Sequence, residues 1–427
     1  MSTKILSTDK IKGTNLLMRR VVITGTGSVS ALGNSMDQLM ISIENKICGT
    51  KKMQNWDKYK GLQSLVGAPA DMPDVKTIPR KLRRSMGRMS LLSIFAVNEA
   101  LESAGINKDS LKNRRYGCVA GSTMGSAEAL NDTFETMLPD HDLTLLTSMG
   151  FFKSISHTVS MNIAQYLGIV GSVIATSAAC ASSLQAIGTG FDLIRHDTQD
   201  MVLCGGAEEL HPTVTGSFDI LFATSKNFND VPLKTPRPFD KNRDGLVCGE
   251  GAGILVLEEL EHAKNRGAKI LAEIKGYNTC GSGNHVSQPD RLAMVQCMNL
   301  ALSDAGVTPD DIDFVSAHAT ATIQGDLEEA AAIHEVFGSE TPVNSLKGYL
   351  GHTLGASGAI ELAVAIEMMN NNIIFPTLNL DNVDEGCKMI NHVKNDKLKK
   401  NIDFILKNCF AFGGINASII CKKYEGT

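Results

Sequence analysis

The chain is predicted to be an α/β protein built from two related halves, and two observations carry that prediction. Strand-like apolar runs alternate with amphipathic helix-like segments along the whole length, as in Arg20-Val21-Val22-Ile23-Thr24 followed by Ser35 to Ile47. This is the pattern of strands separated by covering helices. In addition, Val97-Asn98-Glu99-Ala100-Leu101-Glu102-Ser103-Ala104-Gly105-Ile106 resembles Met298-Asn299-Leu300-Ala301-Leu302-Ser303-Asp304-Ala305-Gly306-Val307. After each comes a charged turn and then a short strand, Tyr116 to Ala120 in one case and Phe314 to Ala317 in the other. A single recurrence of this size points to two halves rather than a solenoid, which would show shorter and more frequent periods. The expected organisation is a loose arm over 1–18, a first half over 19–268 and a second over 269–427.

Bulk properties allow this and exclude several other classes. The 427 residues, 43% hydrophobic and 20% charged, suffice for two core-bearing units. A net charge of −5 lacks the basic footprint of broad nucleic-acid binding. The 10 cysteines are scattered through apolar segments without C-x-x-C pairs, so they are read as reduced thiols of a cytoplasmic protein rather than a disulfide framework. No apolar run reaches membrane-spanning length, and residues 1–18 lack the continuous apolar core of a signal peptide.

Along the chain, the apolar strand Val173-Ile174-Ala175 meets a predicted helix running from Cys180 to about Arg195 through the small-residue joint Thr176-Ser177-Ala178-Ala179-Cys180-Ala181-Ser182-Ser183. Small side chains permit a sharp turn, and N–H groups at a helix start favour thiolate over thiol, so Cys180 is a candidate nucleophile. Cysteine is also a common core filler, and the joint alone leaves both readings open. Lys234-Thr235-Pro236-Arg237-Pro238-Phe239-Asp240 is rigid and turn-rich, and the glycines 245, 249, 251 and 253 lead as a structured loop into the strand Ile254 to Leu257. In the second half His318 ends the strand Phe314 to Ala317. His352 lies in Ser345-Leu346-Lys347-Gly348-Tyr349-Leu350-Gly351-His352, where Lys347 supplies a nearby charge. Gly351 to Ala356 opens an apolar helical segment through Met369, a counterpart of the Cys180 joint that carries His instead of Cys. Residues 391–403 are polar and solvated, and Asn408 to Asn416 is read as an aromatic loop with glycines.

Several cofactor motifs fail. Asp240-Lys241-Asn242-Arg243-Asp244-Gly245 opens like a calcium loop, but its twelfth position is Gly251 rather than a bidentate Glu. Gly25-Thr26-Gly27 lacks the third glycine of a dinucleotide fingerprint, having Ser30 there, and the Gly245–Gly253 run lacks the Lys-Ser/Thr end of a phosphate loop. Long Cys-to-His separations give no support for zinc. No metal and no bound cofactor are expected.

Four ordered blocks survive: the Cys180 joint, His318-x-Thr320-x-Thr322-x-x-Gly325-Asp326, Lys347-x-x-x-x-His352, and Phe410-x-Phe412-Gly413-Gly414-x-Asn416. Over about residues 19–424 they make the chain resemble an elongating β-ketoacyl-acyl carrier protein synthase of the thiolase-like superfamily. The resemblance implies two βαβαβαββ halves in a five-layered α/β/α/β/α sandwich, and a dimer. It implies that an acyl group, presented on the phosphopantetheine of acyl carrier protein, moves to Cys180 as a thioester. The backbone N–H groups of Cys180 and Phe412 would form the oxyanion hole, His318 and His352 would stabilise the enolate of a decarboxylating malonyl thioester, and Lys347 with Glu361 would tune the histidines. Asp326 would support the site, Thr320 and Thr322 would bind the pantetheine arm, Phe412 with Gly413 and Gly414 would form the gate, and Met124 would line the acyl tunnel. Carrier-protein docking falls to Lys81 and Arg84, within the basic run Arg80 to Arg88, and to Lys226.

Three residues depart from the family pattern. Ala319 and Ala321 replace Gly and Ser, and Ala411 replaces the Gly before the gate, where Ala resists backbone angles that Gly permits. With Gly205-Gly206-Ala207-Glu208-Glu209-Leu210, Phe218 to Ser225 and Ser345 to Ala356, these departures make the chain resemble the ketosynthases of aryl polyene or aromatic polyketide assembly more than the housekeeping fatty-acid enzyme, and such ketosynthases often pair with a chain-length-factor subunit lacking the nucleophile. The competing readings are a thiolase acting on acyl-coenzyme A, a chain-initiating synthase, and a non-catalytic partner subunit. The first would need a second catalytic Cys where Phe412-Gly413-Gly414 stands, the second a Cys-His-Asn set, and the third no Cys180.

Overall fold

The computed structural model describes residues 18–138 and 140–426, so residues 1–17 of the expected arm lie outside the described residues. The first five principal strands are β1 (Val21–Ser30), β2 (Tyr116–Gly121), β3 (Val173–Ile174), β4 (Met201–Glu208) and β5 (Gly251–Glu259). The next five are β6 (Ala272–Gly281), β7 (Phe314–Ser316), β8 (Pro342–Asn344), β9 (Phe404–Ala411) and β10 (Ile415–Lys422). Neighbouring strands run β3-β2-β4-β5-β1 and then β6-β10-β9-β7-β8, with the segment Asn391–His392 on the far edge. Counted within its own set of five, each block therefore reads 3-2-4-5-1, and in each the fifth strand is antiparallel to both neighbours. The blocks meet where β1 pairs with β6 over Val21↔Ile274, Val22↔Glu273 and Ile23↔Ala272.

Six helices complete the layers: α1 (Arg88–Ser103), α2 (Thr158–Leu167), α3 (Ser182–Arg195), α4 (Arg291–Ala305), α5 (Ile323–Phe337) and α6 (Ser357–Asn371). Strand alternation decides which face each residue serves. In the first block Val202 and Leu257 face the α3/α6 layer, whereas Leu203 and Val256 face α1 and α2. In the second, Ile405 and Ile419 face α3 and α6, whereas Leu406 and Ile420 face α4 and α5. Both faces of each block are covered, which is why the strands read as nearly continuous apolar runs. The result is the five-layered α/β/α/β/α arrangement with α3 and α6 at its centre. Among the described residues, no helix is long and apolar enough to cross a membrane.

The sequence repeat has a packing cause. In both copies an Ala-rich turn lies against a glycine in the adjacent strand, and a left-handed glycine ends the segment, Gly105 (φ +66°) and Gly306 (φ +67°). A Cβ on Gly25 would lie 2.2 Å from the Ala100 carbonyl oxygen, and one on Gly276 would lie 2.5 Å from that of Ala301. Both glycines adjoin a register break, between Ile23 and Gly25 in β1 and between Ile274 and Gly276 in β6. Gly25→Ala is accordingly expected to lower stability by about 2 kcal/mol through overpacking against fixed backbone. Urea unfolding tests it, and an unchanged midpoint would show that helix and strand can separate freely.

Candidate active site

The inner helices bring the two small-residue joints together. Ser183 Oγ at the start of α3 accepts from the Ala359 N–H of α6 at 3.1 Å, and a Cβ on Gly358 would stand 2.9 Å from Leu184. Cys180 lies two residues before the first residue of α3, on an elbow whose preceding residue, Ala179, has φ +47°. The elbow is laced by Ala181 N–H to Ala178 O at 3.0 Å, by Ala178 N–H to Ser182 Oγ at 2.9 Å and by Ser182 Oγ to Ala179 O at 2.7 Å. Such strain persists only where its surroundings over-determine it.

Cys180 is 1% exposed. Its surroundings correct the expectation of a ready thiolate: burial pushes the Cys180 thiol up to about 12, outweighing the opposing influences of Lys347 and the Phe412 N–H.

His352 Nε2 lies 3.0 Å from Cys180 Sγ. Its backbone is paired with the strap that the glycine-rich run forms, through His352 N–H to Val247 O at 2.7 Å and Gly249 N–H to His352 O at 2.8 Å. The His318 ring stands edge-on to His352, with centroids 5.2 Å apart at 81°. The sulfur and one nitrogen of each ring all fall within 4.8 Å of one another. His318 is aimed by its backbone: its N–H and that of Ala319 donate to the two oxygens of Glu329 at 2.7 and 2.6 Å, while Lys347 Nζ donates to its carbonyl at 3.0 Å. Burial, with Lys347 next in importance, pushes both imidazoles well below the usual histidine range, so both are neutral. Lys347 itself is fully buried and pairs with Glu361 at 2.5 Å.

Cys180, His318, His352 and Glu329 line one cleft of about 280 Å³, together with Thr320, Thr322 and Phe412, while Lys347 and Glu361 lie behind it. The two threonine hydroxyls are 3.2 Å apart. Asp326 shapes their loop by accepting from Ala321 N–H at 3.1 Å and from Phe239 N–H at 2.7 Å, and burial pushes its carboxyl up to about 7. The segment Asn408 to Asn416, expected to be a loop, is instead a hairpin of β9 and β10, because apolar alternation carries the ladder to Ala411↔Ile415. Only Phe412, Gly413 and Gly414 form its tip. Gly413 (φ +87°) donates to Val286 O at 2.7 Å, and Gly414 (φ +73°) accepts from Ser282 N–H at 2.8 Å. The Phe412 ring leans on Phe218, with centroids 5.6 Å apart.

Residues 18–263 match the N-terminal domain of β-ketoacyl synthases and residues 271–381 match the C-terminal domain. The chain belongs to the β-ketoacyl synthase family. It is similar to 3-oxoacyl-[acyl-carrier-protein] synthase 1 of Haemophilus influenzae, 35% identical over 410 residues that cover 96% of this chain and 100% of the relative. Among solved structures it resembles a β-ketoacyl synthase from Burkholderia phymatum STM815, with a TM-score of 0.92, 42% identity and coverage of 96% and 100%. It also resembles the ishigamide ketosynthase/chain length factor, with a TM-score of 0.89, 30% identity and the same coverage.

Not every residue singled out in this β-ketoacyl synthase reaches the cleft. Met124 is 45% exposed and does not line it. Lys81 and Arg84 are exposed on and just after the short helix Arg80–Arg83, away from the cleft lining, whereas Lys226 is exposed beside Phe222, a residue of the mouth. Ala411 is strain-free, since it has no positive φ and the left-handed residues are the glycines after it. Ala321, at φ +70°, is the departure that carries strain. Sequence reading missed Glu329, Phe218 and a second buried lysine, Lys407, whose Nζ donates to Ala317 O at 3.1 Å and pairs with the other oxygen of Glu361. A lysine on the apolar face of Ile405, Cys409 and Ala411 was the available signal for the last of these.

Proposed function

We propose that this β-ketoacyl synthase elongates an acyl chain by decarboxylative Claisen condensation on acyl carrier protein. The observation that carries the reading is the buried cluster of one thiol and two neutral imidazoles lining a cleft that paired threonines also line. In the first step Cys180 attacks the acyl thioester, its proton passes toward His352, the carrier thiol leaves, and an acyl-Cys180 thioester forms. The N–H groups of Cys180 and Phe412 are assigned to the oxyanion. Malonyl carrier protein follows, with its pantetheine arm along Thr320 and Thr322 and its thioester carbonyl toward His318 and His352. The bond to the carboxylate breaks, carbon dioxide leaves, and the electron pair passes to an enolate held by the two imidazoles. Its carbon attacks the acyl-Cys180 carbonyl, and the Cys180 sulfur leaves, giving a β-ketoacyl thioester on the carrier. Lys347 and Glu361 position the histidines, Asp326 shapes the threonine loop, and Phe412 gates the acyl pocket on Gly413 and Gly414.

The two catalytic halves divide near residue 268. Lys81, Arg84 and Lys226 are assigned to carrier docking in a cytoplasmic setting, and Met124, an exposed apolar residue, lines the tunnel in a dimer. The partner is a second copy or a chain-length-factor-like subunit, and the pathway is fatty-acid, aryl polyene or polyketide assembly. Thiolase chemistry is disfavoured because Cys409 is buried between the sheets and does not line the cleft.

His318→Ala tests the division of labour. Acylation of Cys180 from acyl carrier protein, read by mass spectrometry, is expected to persist, while malonyl decarboxylation falls by about 10³-fold with the loss of an enolate donor. Unimpaired decarboxylation would remove His318 from the mechanism.

A further inference from the structure

We propose that Lys407 is a second positioning residue of the condensation site, holding the backbone beside His318 and placing a second positive charge behind the two imidazoles. Alternation along β9 turns Lys407 toward the central layer with Ile405 and Cys409, and its side chain is fully buried. Its Nζ grips the Ala317 carbonyl at 3.1 Å, while Lys347 Nζ grips the next carbonyl, that of His318, at 3.0 Å. Each ammonium takes one oxygen of Glu361. Consecutive carbonyls at the end of β7 are thus fastened from one side by two charged donors, and Glu329 fastens the following N–H groups of His318 and Ala319. The segment that bears His318 has little freedom to turn.

A fold needs no second buried ammonium for this purpose. Apolar residues of similar volume commonly replace buried ion triads without loss of stability, and Lys347 alone would leave Glu361 paired. Burial alone would push Lys407 down, but Glu361 lifts it above the usual lysine range, so it stays charged. The ionisable groups around the imidazoles and this ammonium are Lys347, Glu361, Glu329, Glu208, Cys180 and Cys409. Among them the two lysines oppose imidazolium formation, keeping His352 able to take the Cys180 proton.

This inference rests on the histidine roles proposed above, and its test separates the two. Lys407→Met is expected to fold, to decarboxylate malonyl carrier protein about 10- to 100-fold more slowly, and to move the acid limb of Cys180 acylation to higher pH. Lys407→Gln keeps a donor for Ala317 O without the charge. It should recover part of the decarboxylation rate and retain the displaced limb. Activity of Lys407→Met within about twofold of the parent, or an unmoved limb in both variants, would overturn the proposal. So would failure of both variants to fold, since Lys407 would then serve stability alone. If instead His318→Ala decarboxylates normally, the underlying histidine assignment fails whatever Lys407 does.

Discussion

Cys180→Ala is expected to leave no acyl adduct on the protein and to reduce condensation by about 10⁴-fold or more, because the covalent step that divides the reaction is lost. The elbow is already built of small residues and its backbone is held by hydrogen bonds that do not involve the sulfur, so the substitution should not disturb the fold. Incubation with acyl carrier protein substrates and intact-mass measurement gives the answer directly. An adduct of undiminished yield in the variant would place the nucleophile elsewhere. The direction of pH dependence follows from the site. With the thiol held up near 12, the thiolate fraction rises with pH across the neutral range, so alkylation of Cys180 should accelerate with pH. A rate already at its plateau at neutral pH would mean that the sulfur is ionised at rest. Activation is therefore assigned to proton transfer toward His352 during attack, rather than to a standing thiolate at a helix start.

Glu361→Leu is expected to produce the largest loss of stability, about 3–5 kcal/mol, because it strands two buried ammonium groups that share this one carboxylate. Both lysines are fully buried and Glu361 is 1% exposed, so solvent cannot compensate as it would at a surface ion pair. Urea unfolding measures the loss. Decarboxylation should fail in whatever folded fraction remains, since Lys347 would lose its partner while still facing the His318 carbonyl. Stability within about 1 kcal/mol of the parent would indicate that the two lysines do not depend on this carboxylate for their burial.

The alternation of strands and helices and the recurrence of the Ala-Gly helix ends were legible because they follow from local periodicity and from a glycine needed just past each helix. The same holds for the order of Cys180, His318, Lys347 and His352 along the chain, which carried the family resemblance. The hairpin at Phe412 was misjudged because glycines and aromatics suggested a loop, while the ladder pairing of β9 with β10 extends to the residue before the turn. Glu329 was invisible because it lies in the amphipathic helix α5, where a carboxylate ordinarily reads as solvated. Here it faces inward and accepts from two backbone N–H groups.

The sequence by itself determined most of the strands and helices, the duplication and the candidate nucleophile and histidines, since each depends on neighbours in the chain or on a short ordered pattern. Only the tertiary structure decided the ionisation of the site. The closeness of Cys180 to His352, 172 residues later, the second grip of Lys407 on Glu361 and the withdrawal of water from all of them arise from packing the two strand blocks around α3 and α6. Proton affinity responds to burial and to charges brought together through space, and neither is written in the spacing of residues along a chain.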